Sequence, residues 1–355
     1  MAAPDSAIQD SLSAGEGSLA APARSRRQTL RAQLTAYGFL APAGCMVILF
    51  FFIPMLLILF LSITNLSTTN FTTDVVAMLR SDIDIDLGSF SFVVDEPSYI
   101  VGFDNFERMF RDQFAPKILF NTLFYVFCTL IFFNVGLALV ISLLSSHINR
   151  RAGFFFRALW ILPRITSPAV YVLMWRRIIA VAPFGIINQF NAALGQPEVN
   201  YYQDQPWLFV IMVNGFIGAS FGMIIFTSAI ESIPKDLLNA SLVDGSSIFQ
   251  RIRYVILPLL RWPLLFVVTY QTLSLLTSFE YILLLTGGGP GLYQTEVWSL
   301  TAYNRALNTY FANAQWGYGS AFAVVLVAIG VVMAVIYMRV FRFNELVAEP
   351  KIEVL

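Results

Sequence analysis

Apolar positions in this chain come in long unbroken runs, not in alternation. Six stand out: Tyr37–Thr64, Ile118–Ser146, Phe156–Ala180, Trp207–Ile230, Trp262–Thr286 and Gly319–Val340. A hydrocarbon layer about 30 Å thick is crossed by roughly 20 apolar residues in a helix. Continuous runs predict helices, because barrel strands would alternate and every backbone group must be satisfied within lipid. The pattern therefore predicts an all-α, polytopic membrane protein of about six transmembrane helices over 37–343. A tail over 1–36 precedes it and a cytoplasmic C-terminal tail over 344–355 follows.

Composition narrows the function classes. Of the 355 residues 57% are hydrophobic and 12% charged, whereas soluble domains carry about 25% charged residues. A soluble enzyme is excluded. The single histidine, His147, and the two cysteines inside apolar runs, Cys45 and Cys128, support neither an imidazole centre nor a disulfide or thiolate site. Net charge is zero, so no global field points to nucleic acid.

Charge distribution sets an orientation. The tail is rich in Ala, Ser, Gly and Pro and turns basic at Arg24, Arg26, Arg27 and Arg31, which reads as a disordered cytoplasmic segment. It is not a secretory leader, since the apolar run after it is too long and no small-residue cleavage pattern closes it. Arg150, Arg151 and Arg157 separate the second and third runs; Lys235, Arg251, Arg253 and Arg261 separate the fourth and fifth; Arg339, Arg342 and Lys351 follow the sixth. The opposite loops are acidic or poor in charge, the first carrying Asp82, Asp84, Asp86, Asp95 and Glu96 against Arg80, Arg108, Arg111 and Lys117. The positive-inside rule then predicts a multi-pass membrane protein with both termini cytoplasmic.

The loop over 232–261 carries the most information. Pro234 suits the first turn of a helix, and Leu237, Leu238 and Leu242 form an apolar stripe at helical spacing. Gly245 permits a sharp turn, and Asp244 is placed to accept backbone N–H groups of the next helix. Ile248, Phe249, Ile252 and Val255 give that second helix its own apolar face, and Pro258 opens the entry to the fifth run. Two readings fit: an interfacial helix pair resting on lipid headgroups, or a docking element for a cytoplasmic partner.

The segment resembles the cytoplasmic motif of binding-protein-dependent ABC importer permeases, a Glu-Ala-Ala…Asp-Gly…Leu-Pro pattern. The match runs through Asn239, Ala240, Ser241, Asp244, Gly245, Leu257 and Pro258. Asn239 stands where the family usually has Glu, and Ser241 where it usually has Ala. Other stretches resemble the carbohydrate branch, the maltose-type first permease subunit. They are Val101–Phe106, Asn121-Thr122-Leu123, Ile161-Leu162-Pro163 with Ser167-Pro168, and Thr286–Gly291. The resemblance covers roughly Tyr37 to Phe343 and implies the type I ABC importer permease architecture. It implies a subunit that hydrolyses nothing itself and binds no cofactor, ATP and Mg being held by two copies of a cytoplasmic ABC ATPase docked on the 232–261 loop. A second homologous permease subunit and an external substrate-binding protein complete the implied assembly.

Transport through a bundle needs polar groups facing inward at mid-membrane. The fourth run offers Asn214, Ser220 and Ser228; the fifth offers Gln271, Thr272, Ser274, Thr277, Ser278 and Glu280. Gln271, Ser274 and Ser278 share one helical face by spacing. Neutral hydroxyls and amides beside aromatics suit a sugar or polyol, although isolated Ser and Thr also serve helix–helix hydrogen bonds. The family resemblance implies cargo contacts at Asn214, Ile217, Gly218 and Phe221, and at Gln271, Ser274, Leu275 and Ser278, with Leu275 replacing a polar family residue. Arg164, about eight residues and roughly 12 Å into the third run, either snorkels to the surface or pairs inside the bundle. Glu280 is expected at a hydrated end. The Gly287–Gly291 run lacks the Gly-Lys-Ser/Thr of a phosphate loop and is expected to meet the external binding protein. A glycerol-phosphate-type permease is the near alternative; an intramembrane enzyme and a membrane scaffold are the different classes.

Overall fold

The computed structural model describes residues 26–69, 85–86, 91–92, 100–307 and 314–340. Residues 1–25 and 344–355 of the expected tails, and most of the acidic cluster around 82–96, lie outside the described residues. Apart from a two-residue antiparallel ladder, Ile85–Asp86 with Ser91–Phe92, the described fold is all-α.

The chain divides into two units, Met1–Leu57 and Ile58–Leu355. The first contains a helix over Arg26–Val47, which begins inside the stretch read as tail, followed by a π-helical turn over Ile48–Phe52. Leu30 and Leu34 among Arg and Gln make 26–36 a strong helix former despite its polarity.

Among the described residues four helices are long and apolar enough to cross a membrane: Tyr37–Ser62, Ala115–His147, Pro206–Glu231 and Trp316–Val340. Two bent pairs raise the number to as many as six, and the first corrects the expectation of a continuous third run. In the third, Arg150–Ile165 and Pro168–Ile179 meet at 102°. Thr166 and Ser167 are extended, with ψ of 141° and 134°, because the Pro168 ring disfavours helical backbone in the residue before it. In the fifth, Ile248–Leu259 and Arg261–Thr277 meet at 68°. The run expected to continue to Thr286 stops at Thr277 and restarts as Glu280–Leu285. At that break Ser278 Oγ takes a hydrogen bond from Asn214 and its carbonyl takes one from Ser299, so groups outside the helix occupy its end.

Within the second unit a core of Tyr125, Val172, Val210, Val213, Leu276, Ile282, Leu300 and Phe322 joins the spans. Large apolar side chains such as Phe120, Phe127, Val140 and Val331 are exposed, as a surface facing lipid requires. Lipid tails supply no hydrophobic drive between helices, so close approach must come from small residues. Span four provides it: a Cβ at Gly215, Gly218 or Gly222 would overlap Phe133, the Asn134 side chain, or the Asn134 carbonyl of span two.

Candidate functional site

Asn214 and Gln271 sit on facing helices and are both buried. Asn214 Nδ2 donates to Tyr125 OH and, at 3.0 Å, to Ser278 Oγ. Gln271 Nε2 donates to the Gly218 carbonyl at 2.9 Å. Four of the positions implied for cargo, Asn214, Gly218, Gln271 and Ser278, are thus joined by hydrogen bonds between or beside spans four and five. Ile217 and Leu275 lie in the apolar core, and Ser274 is exposed. Of the helical face inferred for Gln271, Ser274 and Ser278, the first and last both bond to span four, with Ser278 at the end of the helix, while Ser274 is exposed.

Beside this set lies an aromatic surface. Phe221 stacks on Tyr270 with ring centroids 4.6 Å apart, and Phe266 adjoins both. The Arg164 guanidinium lies 5.3 Å from the Phe221 ring centroid, where the ring quadrupole attracts it. The bend before Pro168 ends the helix of Arg164 and leaves the exposed cation over an aromatic face. Trp160, Trp175 and Phe133 surround Phe216 at centroid distances of 5.6–5.8 Å. Glu280 is exposed at the start of its short helix.

At the other end, the 232–261 loop forms helices over Lys235–Val243 and Ile248–Arg251, with Gly245 at φ +73° between them. The expected capping role of Asp244 is corrected: Asp244 closes the first helix, and Ser247 caps the second in a reciprocal box with Gln250. Ser247 is the residue directly before the helix, where its hydroxyl reaches the Gln250 N–H. Asn239, Ala240, Asp244, Gly245, Leu257 and Pro258 are exposed, while Ser241 is buried and its carbonyl takes both the N–H and hydroxyl of Ser246. Val243 is 89% and Phe249 71% exposed. Arg157 pairs with Glu231 at 2.6 Å just before this loop.

The glycine run folds into a braced platform. Gly287 and Gly288 hold φ of +61° and +89°, and Lys117 and Asn121 of span two donate to carbonyls of Leu292, Tyr293 and Glu296. A Cβ at Gly288 would overlap the Glu296 carboxylate, so only glycine fits. Glu296 Oε1 takes hydrogen bonds from Thr301 and Asn304, each 3.1 Å. Burial pushes the Glu296 carboxyl above the usual carboxylate range, opposed by those hydrogen bonds and the Arg305 charge. A raised acid binds more protons folded than unfolded, so its stabilisation is present below the ordinary carboxylate value and lost as pH rises through the raised one. The unfolding temperature of the wild type is therefore expected to fall with pH across that window more than that of Glu296→Gln, as read by thermal denaturation in detergent; parallel curves would refute the assignment.

Sequence reasoning missed Tyr125, Tyr270, Asn121 as a brace, Glu296 and Asn134. Asn134 carried a readable signal, a carboxamide in the middle of an apolar run. Tyr125 and Tyr270 carried none, since aromatic residues are common in every span.

No family model matches the chain. It is 30% identical over 320 residues, 88% of this chain and 92% of its relative, to a probable ABC transporter permease protein, YesP, of Bacillus subtilis (strain 168). It is 26% identical over 263 residues, 72% of this chain and 82% of the relative, to the sulfoquinovosyl glycerol transport system permease protein SmoG of Agrobacterium fabrum. The trehalose/maltose transport system permease protein MalF of Thermococcus litoralis is 27% identical over 266 residues, covering 72% and 83% of the two chains. Among solved structures, a bacterial alginate ABC transporter in complex with a pentasaccharide-bound periplasmic protein matches with TM-score 0.72 at 18% identity. That match covers 90% of this chain and 98% of the other, a likeness of fold.

Proposed function

We propose, from the premise that this chain belongs to the ABC transporter permease family, that it is the permease subunit of an ATP-driven importer and forms half of the pathway for a sugar or polyol. The observation that carries the reading is the uncovered loop at Gly245. A soluble face of this kind would not leave Val243, Ile248 and Phe249 exposed together; a cytoplasmic ATPase seated there explains them. Relatives named for sulfoquinovosyl glycerol and for trehalose and maltose support a carbohydrate cargo. The neutral amides Asn214 and Gln271, the Ser278 hydroxyl and the stacked Phe221–Tyr270 pair supply the matching chemistry. The basic end then faces the cytoplasm, and the glycine platform meets an external binding protein. A second permease closes the other half of the pathway, and the whole sits in a bacterial or archaeal inner membrane.

A second reading has its own observation. Arg164 stands over Phe221 with no ion-pair partner among the described residues, which favours an anionic cargo such as a glycerol phosphate. The two are separated by transport competition with maltose and glycerol 3-phosphate. The proposal as a whole is tested by purifying the tagged chain from its native membrane. A co-purifying ATPase and ATP-dependent uptake are expected; uptake that proceeds equally without ATP, or a chain that brings no ATPase, overturns it.

A further inference from the structure

We propose that Asn134 is a positioning residue of the transport step. Its carboxamide alternates with that of Gln271 on the Gly218 carbonyl, so that movement of span two along span four releases Gln271 toward the cargo. This rests on the reading of Gln271 as a cargo contact.

Asn134 is fully buried, and neither its Oδ1 nor its Nδ2 has a hydrogen-bond partner among the described residues. Leaving a buried amide unpaired is costly, and replacing it by an apolar group of the same shape is neutral or stabilising. An amide kept under such a cost calls for an explanation, and a second arrangement in which it is bonded supplies one.

The surroundings provide that arrangement. Asn134 lies within a π-helical stretch, Thr129–Leu137, in the middle of span two. Such widened turns collect at functional sites, and shifting one along the helix turns the residues it passes by about 100° while the helix on either side keeps its phase. Thr129 Oγ1, at the start of the same stretch, is also buried without a partner among the described residues. Opposite stand Gly215, Gly218 and Gly222, where no Cβ keeps the two backbones apart, and a Cβ at Gly218 would overlap the Asn134 amide. One lone pair of the Gly218 carbonyl serves its own helix and the other takes Gln271 Nε2 at 2.9 Å. Asn134 can therefore join that carbonyl only by displacing Gln271. Further along, the Ser142 hydroxyl is shared between the Ala138 carbonyl of its own helix at 2.7 Å and the Met223 carbonyl of span four at 3.1 Å, which makes this crossing the pivot.

The test uses the assembled transporter in vesicles, with radiolabelled maltose, trehalose and glycerol 3-phosphate as probes and the one the wild type carries best as cargo. Asn134→Leu is expected to leave the unfolding temperature unchanged or higher. It should lower uptake about tenfold, the scale of one buried hydrogen bond, and weaken the cargo concentration for half-maximal uptake. Gln271→Leu added to it should change little further. Asn134→Ala, which leaves room instead of filling it, should lose uptake to the same extent. Uptake within about twofold of wild type, a loss that tracks a falling unfolding temperature, or losses that multiply in the double variant overturns the proposal. If Gln271→Leu alone leaves half-maximal uptake where it was, the cargo reading of Gln271 is what has failed.

Discussion

Replacing Gly245 by proline abolishes ATP-driven uptake while the chain remains folded and inserted. The reason lies in one backbone angle. Gly245 holds φ +73°, and a proline ring holds φ near −65°. The Gly245 N–H also donates to the Leu242 carbonyl at 3.0 Å, a bond that proline cannot make. The turn between the two loop helices must therefore open, and the exposed residues on either side lose their common orientation toward an ATPase. The effect stays local, because nothing lies within 4 Å of where a Gly245 side chain would begin. Gly245→Ala makes the graded control: it has room and keeps the N–H, at a cost of about 1–2 kcal/mol for the left-handed backbone, so it should retain partial uptake. Uptake and ATPase co-purification measured on both variants check this, and wild-type uptake by Gly245→Pro would remove the loop from the mechanism.

Gly218→Ala is expected to lower the stability of the protein by about 1–3 kcal/mol, the usual cost of forcing an extra group into a packed interface. Its Cβ has no free space, since the Asn134 amide occupies the position. The same glycine's carbonyl holds Gln271 of span five at 2.9 Å, so a shift of span four disturbs that bond as well. Trimming the obstacle should restore the packing, yet it also removes the amide proposed to displace Gln271. The pair Gly218→Ala with Asn134→Ala is expected to regain most of the unfolding temperature without regaining uptake. Thermal denaturation and uptake on the two single variants and the double variant form a closed cycle. A single variant as stable as wild type would mean that the contact is not as tight as described.

Legibility in the sequence differs from element to element. The spans were readable because hydrocarbon thickness acts on every residue of a run at once, so their ends agree with the structure to within a few residues at Ala115–His147, Pro206–Glu231 and Trp316–Val340. The turn at Gly245 was readable because one residue type meets one backbone need. The bend at Pro168 does not follow from Ser167-Pro168 alone, because a proline in a span either kinks it or is absorbed by its neighbours. Asn214 and Gln271 were recognised as mid-span polar residues. That they are tied to Tyr125, Ser278 and Gly218 depended on which helix stands opposite.

The amino-acid order alone thus settled that the chain spans a membrane as helices and that a glycine turn interrupts its basic loop, since both follow from local chemistry and from the solvent. The packed bundle decided which carboxamide is satisfied and which is not. Gln271 and Asn134 are chemically alike, yet the first is bonded and the second, without a partner among the described residues, is pressed against the same glycine. Hydrogen bonds between spans depend on register and rotation, quantities that exist only once two helices have met.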